Sequence, residues 1–282
     1  MDRRSSALEA DWLGACRRAG DGLRTVMREN PTTSDRLRET GSTGGGGDRT
    51  LCIDQAAEDA VFAELERFHD EGLRFCAVSE ERGLVDFGDD AVRVVIDPID
   101  GSTNAKRGLT HHALSIAVAD GPTMADVAFG YVLDLGPQEE WWARRGEGAF
   151  LDGGRLDPPP ERRTSDGKLE LVAIESASPH WIGAAGDELE RSVGRVRVIG
   201  AMAIALCQVA ACRVDGMASL WRCRAVDVAA AQLIVRESGG VVAFTHMKEP
   251  LGAPLDLEPR SPVVAARTES ALAELSRLPP SS

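Results

Sequence analysis

The chain has 282 residues, enough for one large domain or two modest ones, and its apolar content of 43% is ordinary for a globular protein. Acidic residues outnumber basic ones by 45 to 32, so the formal charge is −13, and such a surface repels the phosphates of nucleic acids. No apolar run approaches the roughly 20 residues that span a bilayer, and the first residues lack a signal-peptide core. We therefore expect a cytoplasmic protein without nucleic-acid or membrane partners.

The six cysteines are spread along the chain without a C-x-x-C pair; they are Cys16, Cys52, Cys76, Cys207, Cys212 and Cys223. Three of them have apolar neighbours, which is typical of small buried thiols. This distribution argues against both a disulfide framework and a zinc site.

The first half of the chain is predicted to begin with helices and to continue with strands. Apolar residues recur at helical spacing over residues 6–28 and 54–71, which predicts two helices. Between them, residues 44–48 read Gly-Gly-Gly-Gly-Asp, which predicts a loop that is either a surface linker or a mobile flap beside the site. Strands are predicted at 75–79, 92–96, 113–119, 127–133 and 139–143, followed by an Asp-Gly hairpin within 150–156.

The proline-rich stretch 158–165 is the best candidate for a boundary, and beyond it strands and helices alternate. Strands are predicted at 169–174, 196–199, 217–220 and 241–244, and helices at 187–193, 203–211, 226–238 and 269–278. The fold class is therefore mixed α/β, an α+β arrangement of sheets covered by helices. We expect one domain over residues 1–282, with a division into subdomains 1–157 and 166–282.

The strongest chemical signal is the stretch 97–104, Asp-Pro-Ile-Asp-Gly-Ser-Thr-Asn. The proline keeps Asp97 extended and Gly101 permits a sharp turn, so Asp97 and Asp100 can converge with the carbonyl of Ile99 between them. Two carboxylates and a carbonyl are hard oxygen ligands that suit Mg²⁺. The last three residues predict a helix start, whose free N–H groups attract phosphate. The alternative is a hydrophilic turn with a Ser/Thr cap.

Three further acidic residues lie at the ends of predicted elements. Glu80 ends the strand 75–79, Asp54 opens the second helix, and Asp227 opens a late helix. Each has an ordinary alternative, since the aspartates could be helix caps and Glu80 a solvated strand end. Spacing excludes an EF-hand and a Walker loop, and the two aspartates of 97–104 are one residue too far apart for a haloacid-dehalogenase-type nucleophile.

The order and spacing of these motifs resemble the inositol monophosphatase family. Its motifs are matched at 79–81, 97–104, 146–153, 197–201, 226–227 and 237–240. Gly47-Asp48 ahead of Asp54 and the Arg-Ala-Val-Asp motif at 224–227 look most like archaeal-type members, which are often dual inositol-phosphate and fructose-1,6-bisphosphate phosphatases. The resemblance covers residues 6–278 and decides against the turn and cap alternatives. It implies a layered α-β-α-β-α sandwich of the inositol monophosphatase/fructose-1,6-bisphosphatase type.

The resemblance also implies a site for two to three Mg²⁺ ions, with Mn²⁺ as a substitute. Glu80, Asp97 and the Ile99 carbonyl would hold the first ion. The second would be held by Asp97, Asp100 and Asp227. A third, weaker ion would be supported by Asp54 together with Glu80.

The same resemblance assigns the remaining roles. Ser102 would activate the attacking water with Asp54 or Glu80, and Asp48 would belong to a mobile catalytic loop, which favours the flap over the linker. The residues expected to contact phosphate or the rest of the substrate are Gly101, Ser102, Thr103, Gly200, Ala201, Met202, Arg222 and Arg224. For the two arginines, plain surface charge is the alternative.

The implied activity is Mg²⁺-dependent hydrolysis of a small sugar or polyol phosphate by in-line attack of water, with inositol-1-phosphate as the first substrate. Fructose-1,6-bisphosphate, 3′-phosphoadenosine 5′-phosphate and histidinol phosphate are alternatives. Val226 replaces the family's usual Trp and Leu220 its inositol-contacting Glu, which argues against strict inositol specificity. A non-catalytic metal-binding regulatory protein is the alternative from another class, and the retained acidic residues speak against it. The resemblance also implies a homodimer.

Overall fold

The computed structural model of the protein describes residues 7–43 and 49–279. Its helices are α1 (Trp12–Glu29), α2 (Thr33–Arg36), α3 (Cys52–Asp70), α4 (Ser102–Arg107), α5 (Pro179–Ala184), α6 (Gly186–Ser192), α7 (Met202–Ala210), α8 (Ala225–Glu237) and α9 (Glu269–Leu275). The strands of its first half are β1 (Glu39–Thr43), β2 (Arg49–Leu51), β3 (Cys76–Ser79), β4 (Gly83–Asp86), β5 (Arg93–Asp100), β6 (Ala113–Ala119), β7 (Val127–Asp134), β8 (Glu140–Arg144), β9 (Gly148–Leu151) and β10 (Gly154–Arg155). Those of its second half are β11 (Val172–Glu175), β12 (Val196–Arg197), β13 (Gly216–Ser219), β14 (Val241–Phe244) and β15 (Val263–Ala266).

The larger sheet has eight strands in the order β10-β9-β8-β7-β6-β5-β3-β4. Neighbouring strands are antiparallel except β3 and β5, which run parallel and therefore end at the same edge. Helices α1 and α3 cover one face of this sheet, where Trp12 packs edge-to-face on Phe68 at 4.9 Å between ring centroids. The acidic residues that follow β3 and end β5 are thus brought to one edge.

The smaller sheet has five strands in the order β12-β11-β13-β15-β14. β11 runs parallel to both of its neighbours, whereas β15 is antiparallel to β13 and β14. Its outer face packs against α9 and side chains of α5 and α6, including Leu275, Trp181 and Leu189.

Helices α7 and α8 fill the space between the two sheets. Their small side chains allow close approach: a Cβ on Gly130 of β7 would lie 2.5 Å from the Ala230 carbonyl oxygen of α8. One apolar cluster joins these helices to both sheets, from Val95 and Val132 on one side to Met217 and Ala265 on the other. The layers are therefore α-β-α-β-α, and this prediction is confirmed.

The structure corrects several boundaries. β5 does not end before Asp97 but continues to Asp100, with an irregularity in its pairing to β6 between these two residues. Pro98 lies within the irregular part, where a residue without an N–H group is tolerated. Strands β1, β2, β4 and β15 were not predicted. The division at 158–165 lies between the last strand of the larger sheet and the first of the smaller one, and the subdomain assignment stays a prediction.

None of the helices within the described residues, 7–43 and 49–279, is long and apolar enough to cross a membrane.

Candidate active site

Two cavities flank the end of β5. The first, of about 420 Å³, contains most of the residues predicted for catalysis and for the first ion: Asp54, Glu80, Asp97, Ile99, Ser102 and Thr103. The second, of about 330 Å³, contains most of the residues predicted for the substrate and the second ion: Asp100, Gly200, Ala201, Met202, Arg224 and Asp227. Segments far apart in the sequence are thus brought together around one strand end.

The irregular end of β5 directs its two aspartates to different cavities. Asp97 Oδ1 accepts a hydrogen bond from the N–H of Ile99 at 2.9 Å, which fixes the local turn. The carboxylate of Asp100 accepts from the N–H groups of Met202 (3.2 Å) and Ala203 (2.7 Å), where α7 begins. Asp100 therefore joins the larger sheet to the helix layer beneath the second cavity.

Gly101 lies between Asp100, which lines the second cavity, and Ser102, which lines the first. Its φ of 81° lies in the left-handed region, and a Cβ there would lie 3.0 Å from the Gly200 carbonyl oxygen and 3.1 Å from that of His111. Asn104 fixes the neighbouring backbone segments, because its Nδ2 donates hydrogen bonds to the carbonyls of His111 and Ile199, both at 2.9 Å. Only glycine fits this position without moving backbone.

We expect Gly101→Ala to destabilise the protein by about 3 kcal/mol and to lower kcat at least tenfold, because it adds crowding to the cost of a positive φ. Gly153→Ala is the matched control, since Gly153 has a φ of 79° but no atom within 4 Å of an added Cβ. It should cost only about 1 kcal/mol and leave kcat unchanged. Thermal unfolding and steady-state kinetics test this, and equal effects of the two changes would contradict it.

Asp54 and Asp227 are helix-capping residues as well as cavity residues. Asp54 Oδ2 accepts from the N–H of Leu51 at 3.3 Å, and Asp227 Oδ2 accepts from the N–H of Arg224 at 3.0 Å. Asp54 Oδ1, in contrast, is buried and has no hydrogen-bond partner among the described residues. The cap alternative is therefore correct for one oxygen of each carboxylate, and it leaves Asp54 Oδ1 available for a ligand.

The helix with Asp54 and the strand before Glu80 are fixed to each other by a buried acid. Glu58 of α3 accepts hydrogen bonds from the hydroxyl of Ser79 and, at 3.2 Å, from the N–H of Arg82. Burial raises the pKa of Glu58 by more than these hydrogen bonds lower it. This contact holds Asp54 and Glu80 at the same side of the first cavity.

Buried carboxylates of the site lie close enough to affect one another. Burial raises the pKa of Asp97 and Asp100 well above the usual range of an aspartate, and the neighbouring carboxylates raise them further. Burial also raises the pKa of Glu80 and Asp227, while the guanidinium of Arg224 opposes this shift in both. Such a cluster of oxygen ligands is suited to a hard divalent cation.

A guanidinium already lies among these carboxylates. Arg224 Nη1 is 2.7 Å from Glu80 Oε1 and its Nη2 is 3.3 Å from Asp227 Oδ1. Within the described part of the chain, no three or more His, Cys, Asp or Glu side chains are arranged around one point as metal ligands. The carboxylate and carbonyl oxygens of the site are chemically suited to Mg²⁺, and the guanidinium of Arg224 already lies among them as a positive charge.

Two charged residues of the first cavity were assigned no role by the sequence analysis. Glu81 and Lys106 line the first cavity beside Asp54, and Lys106 follows Ser102 by four positions on α4, a spacing that could have revealed it. Glu175 lines the second cavity and accepts from the N–H groups of Ile199 (2.8 Å) and Gly200 (3.0 Å), so it positions the predicted substrate loop.

Two of the predicted site residues that the structure describes line neither cavity. Gly101 lies between Asp100 and Ser102, which line different cavities, and the guanidinium carbon of Arg222 lies 5.5 Å from the ring centroid of Trp221. Asp48 and the glycines before it lie outside the described residues.

Comparisons with known proteins identify the family of this chain. The model of the inositol monophosphatase family matches residues 9–278. The fructose-1,6-bisphosphatase/inositol-1-monophosphatase of Methanothermobacter thermautotrophicus is 30% identical over 266 residues, which cover 90% of this chain and 91% of the relative. The inositol-1-monophosphatase of Mesorhizobium japonicum is 36% identical over 213 residues, covering 71% of this chain and 73% of the relative.

The fold is shared with a crystal structure described as an inositol monophosphatase–fructose 1,6-bisphosphatase. Its TM-score is 0.80 at 23% identity, with coverage of 95% of this chain and 100% of the other. The match of the family model over nearly the whole length decides the assignment. The chain belongs to the inositol monophosphatase family and is a phosphatase.

Proposed function

We propose that the protein hydrolyses the phosphate monoester of a small polyol or sugar, with inositol-1-phosphate as the preferred substrate. The observation that supports this most directly is the set of acidic residues lining the two cavities beside Ser102: Asp54, Glu80, Asp97, Asp100 and Asp227. These carboxylates repel an anionic ester, so we expect bound cations to neutralise them.

Mg²⁺ is the cation proposed here, in keeping with the oxygen ligands of the site. Glu80, Asp97 and the Ile99 carbonyl would hold one ion, Asp97, Asp100 and Asp227 a second, and Asp54 with Glu80 a third. When bound, these ions neutralise the phosphate, stabilise the leaving alkoxide and make water more acidic.

The chain's own groups then orient the reactants. Asp54 is the proposed proton acceptor, because burial raises its pKa to about 6 and its Oδ1 has no other partner among the described residues. The hydroxyl of Ser102, in the same cavity, would pass the proton from the attacking water. The N–H groups at the start of α4 and the ammonium of Lys106 would bind the phosphate oxygens.

The second cavity is the proposed site of the alcohol part of the substrate. Glu175 holds the Gly200 loop through two backbone hydrogen bonds, which gives the hydroxyl groups a rigid surface. Fructose-1,6-bisphosphate is the second candidate, because Arg224 lines this cavity and could bind a second phosphate. Relatives whose names include both activities support this alternative.

A homodimer is also proposed. The support for it is the family resemblance, because exposed apolar side chains are spread over both halves of the chain, with Leu84 72% and Val198 59% accessible.

A substrate panel tests the proposal. Inositol-1-phosphate, fructose-1,6-bisphosphate, 3′-phosphoadenosine 5′-phosphate and histidinol phosphate are compared by released phosphate with Mg²⁺, with Mn²⁺ and with EDTA. We expect the highest kcat/KM for inositol-1-phosphate and no turnover in EDTA. A higher value for fructose-1,6-bisphosphate would favour the second candidate, and turnover in EDTA would refute the proposed metal chemistry.

A further inference from the structure

Arg224 makes contacts with two site carboxylates that its proposed role as a ligand of a second phosphate does not explain. Its backbone N–H donates a hydrogen bond to Asp227 Oδ2, while its guanidinium bridges Asp227 Oδ1 and Glu80 Oε1. The side chain is only 23% exposed, so these contacts are largely shielded from solvent. Both oxygens of Asp227 are thus bonded to the same arginine.

These contacts compete directly with metal binding. Glu80 and Asp227 come from opposite sides of the site, one after β3 and the other on α8, and the guanidinium connects them. A divalent ion bound to the same two carboxylates would lie next to a full positive charge, and like charges repel strongly where water is largely excluded. An ion and the guanidinium therefore cannot occupy this position together.

The second cavity offers the displaced side chain a place to go. Arg224 already lines this cavity with Glu175 and Gly200, whereas Glu80, its ion-pair partner, lines the first cavity. Glu175 is buried and its two oxygens accept from the Ile199 and Gly200 N–H groups. A guanidinium turned into this space would meet the alcohol part of the substrate or a second phosphate.

We propose that Arg224 is a tethered counter-cation of the metal-free site, and that divalent-ion binding displaces its guanidinium into the second cavity, where it positions the substrate. The inference rests on the proposed metal dependence. Arg224 thereby lowers the affinity for the ion, stabilises the metal-free protein and couples ion binding to substrate binding.

Arg224→Gln tests this directly, with Arg222→Gln as the matched control. Arg222 is two positions away, and its guanidinium lies over Trp221 rather than among the carboxylates. Mn²⁺ affinity is measured by electron paramagnetic resonance, and the melting temperature by calorimetry with and without the ion. In Arg224→Gln we expect Mn²⁺ to bind roughly tenfold more tightly, because a competing positive charge is gone. We also expect a lower melting temperature without metal and a larger rise on adding it. The control should match the unaltered protein in all three.

Arg224→Lys is a second variant that keeps the positive charge, and it allows the test to be made if Arg224→Gln does not fold. It should bind Mn²⁺ with an affinity close to that of the unaltered protein. Two results would overturn the role of Arg224 while the proposed function stands. One is Mn²⁺ binding in Arg224→Gln that is unchanged or weaker than in the unaltered protein. The other is Mn²⁺ binding that is tightened as much in Arg224→Lys as in Arg224→Gln. If the unaltered protein bound no Mn²⁺ and turned over substrate without it, both proposals would fail.

Discussion

Asp97→Asn will abolish turnover while leaving the fold intact. Asp97 is 2% exposed and is the residue proposed to contact both principal ions. Replacing one carboxylate oxygen with an amide removes a negative ligand from the centre of the site, which we expect to lower kcat/KM by at least about 10³-fold. The amide oxygen of the variant can still accept from the Ile99 N–H, so the turn itself should persist.

The folded state of this variant provides an independent check. Glu80, Asp100 and Asp227 all repel the Asp97 carboxylate, so removing its charge should leave the metal-free melting temperature at pH 8 equal or higher. Asp187→Asn, on an exposed surface of α6, is the control and should keep full activity. Circular dichroism, calorimetry and phosphate release measure these quantities, and normal turnover in Asp97→Asn would refute the assignment of the site.

The second large effect is a loss of stability in the metal-free protein as the pH rises from about 4.5 to about 7. Burial raises the pKa of Glu175 from 4.5 to about 7 and that of Asp54 from 3.8 to about 6. Between the ordinary and the raised pKa, the folded state binds more protons than the unfolded one, so stability falls with rising pH. Each group contributes on the order of 3 kcal/mol once it is fully ionised.

Thermal unfolding in EDTA between pH 4.5 and 8 measures this dependence. Glu175→Gln should flatten the slope, at the cost of one of the two backbone hydrogen bonds to the Gly200 loop. Glu190→Gln, an exposed change on α6, should leave the slope as it is. A metal-free stability that stays constant or increases across this range would contradict the burial of both groups.

Much of the fold could be predicted because its strands are short apolar segments bounded by polar residues. β6 and β14 lie where the apolar runs placed them. β15 was missed although it is an interior strand of the smaller sheet, because its four residues lie between Pro262 and Arg267 without a recognisable period. β4 was missed because its exposed edge alternates over only four residues, and only its pairing with β3 identifies it.

The site could be predicted to the level of its acidic residues but not to the level of their contacts. Local spacing around Asp97 indicated oxygen ligands, and the resemblance decided that Glu80 and Asp227, already noted at the ends of predicted elements, belong to the same site. The ion pairs of Arg224 depend on how the end of β3 in the larger sheet and the start of α8 between the sheets are placed in the fold. No local sequence pattern carries this information. The role of Glu175 depends in the same way on the tertiary contact between the end of β11 and the loop before α7.

The enclosure of α8 between the sheets has a consequence for dynamics. Every residue of this helix from 225 to 235 is buried. Its amide protons can therefore exchange with solvent only when the sheets separate, so the slowest deuterium uptake along α8 reports the opening of the whole molecule. Asp227 lies on this enclosed helix, and we expect the segments that carry Asp54 and Glu80 to take up deuterium faster.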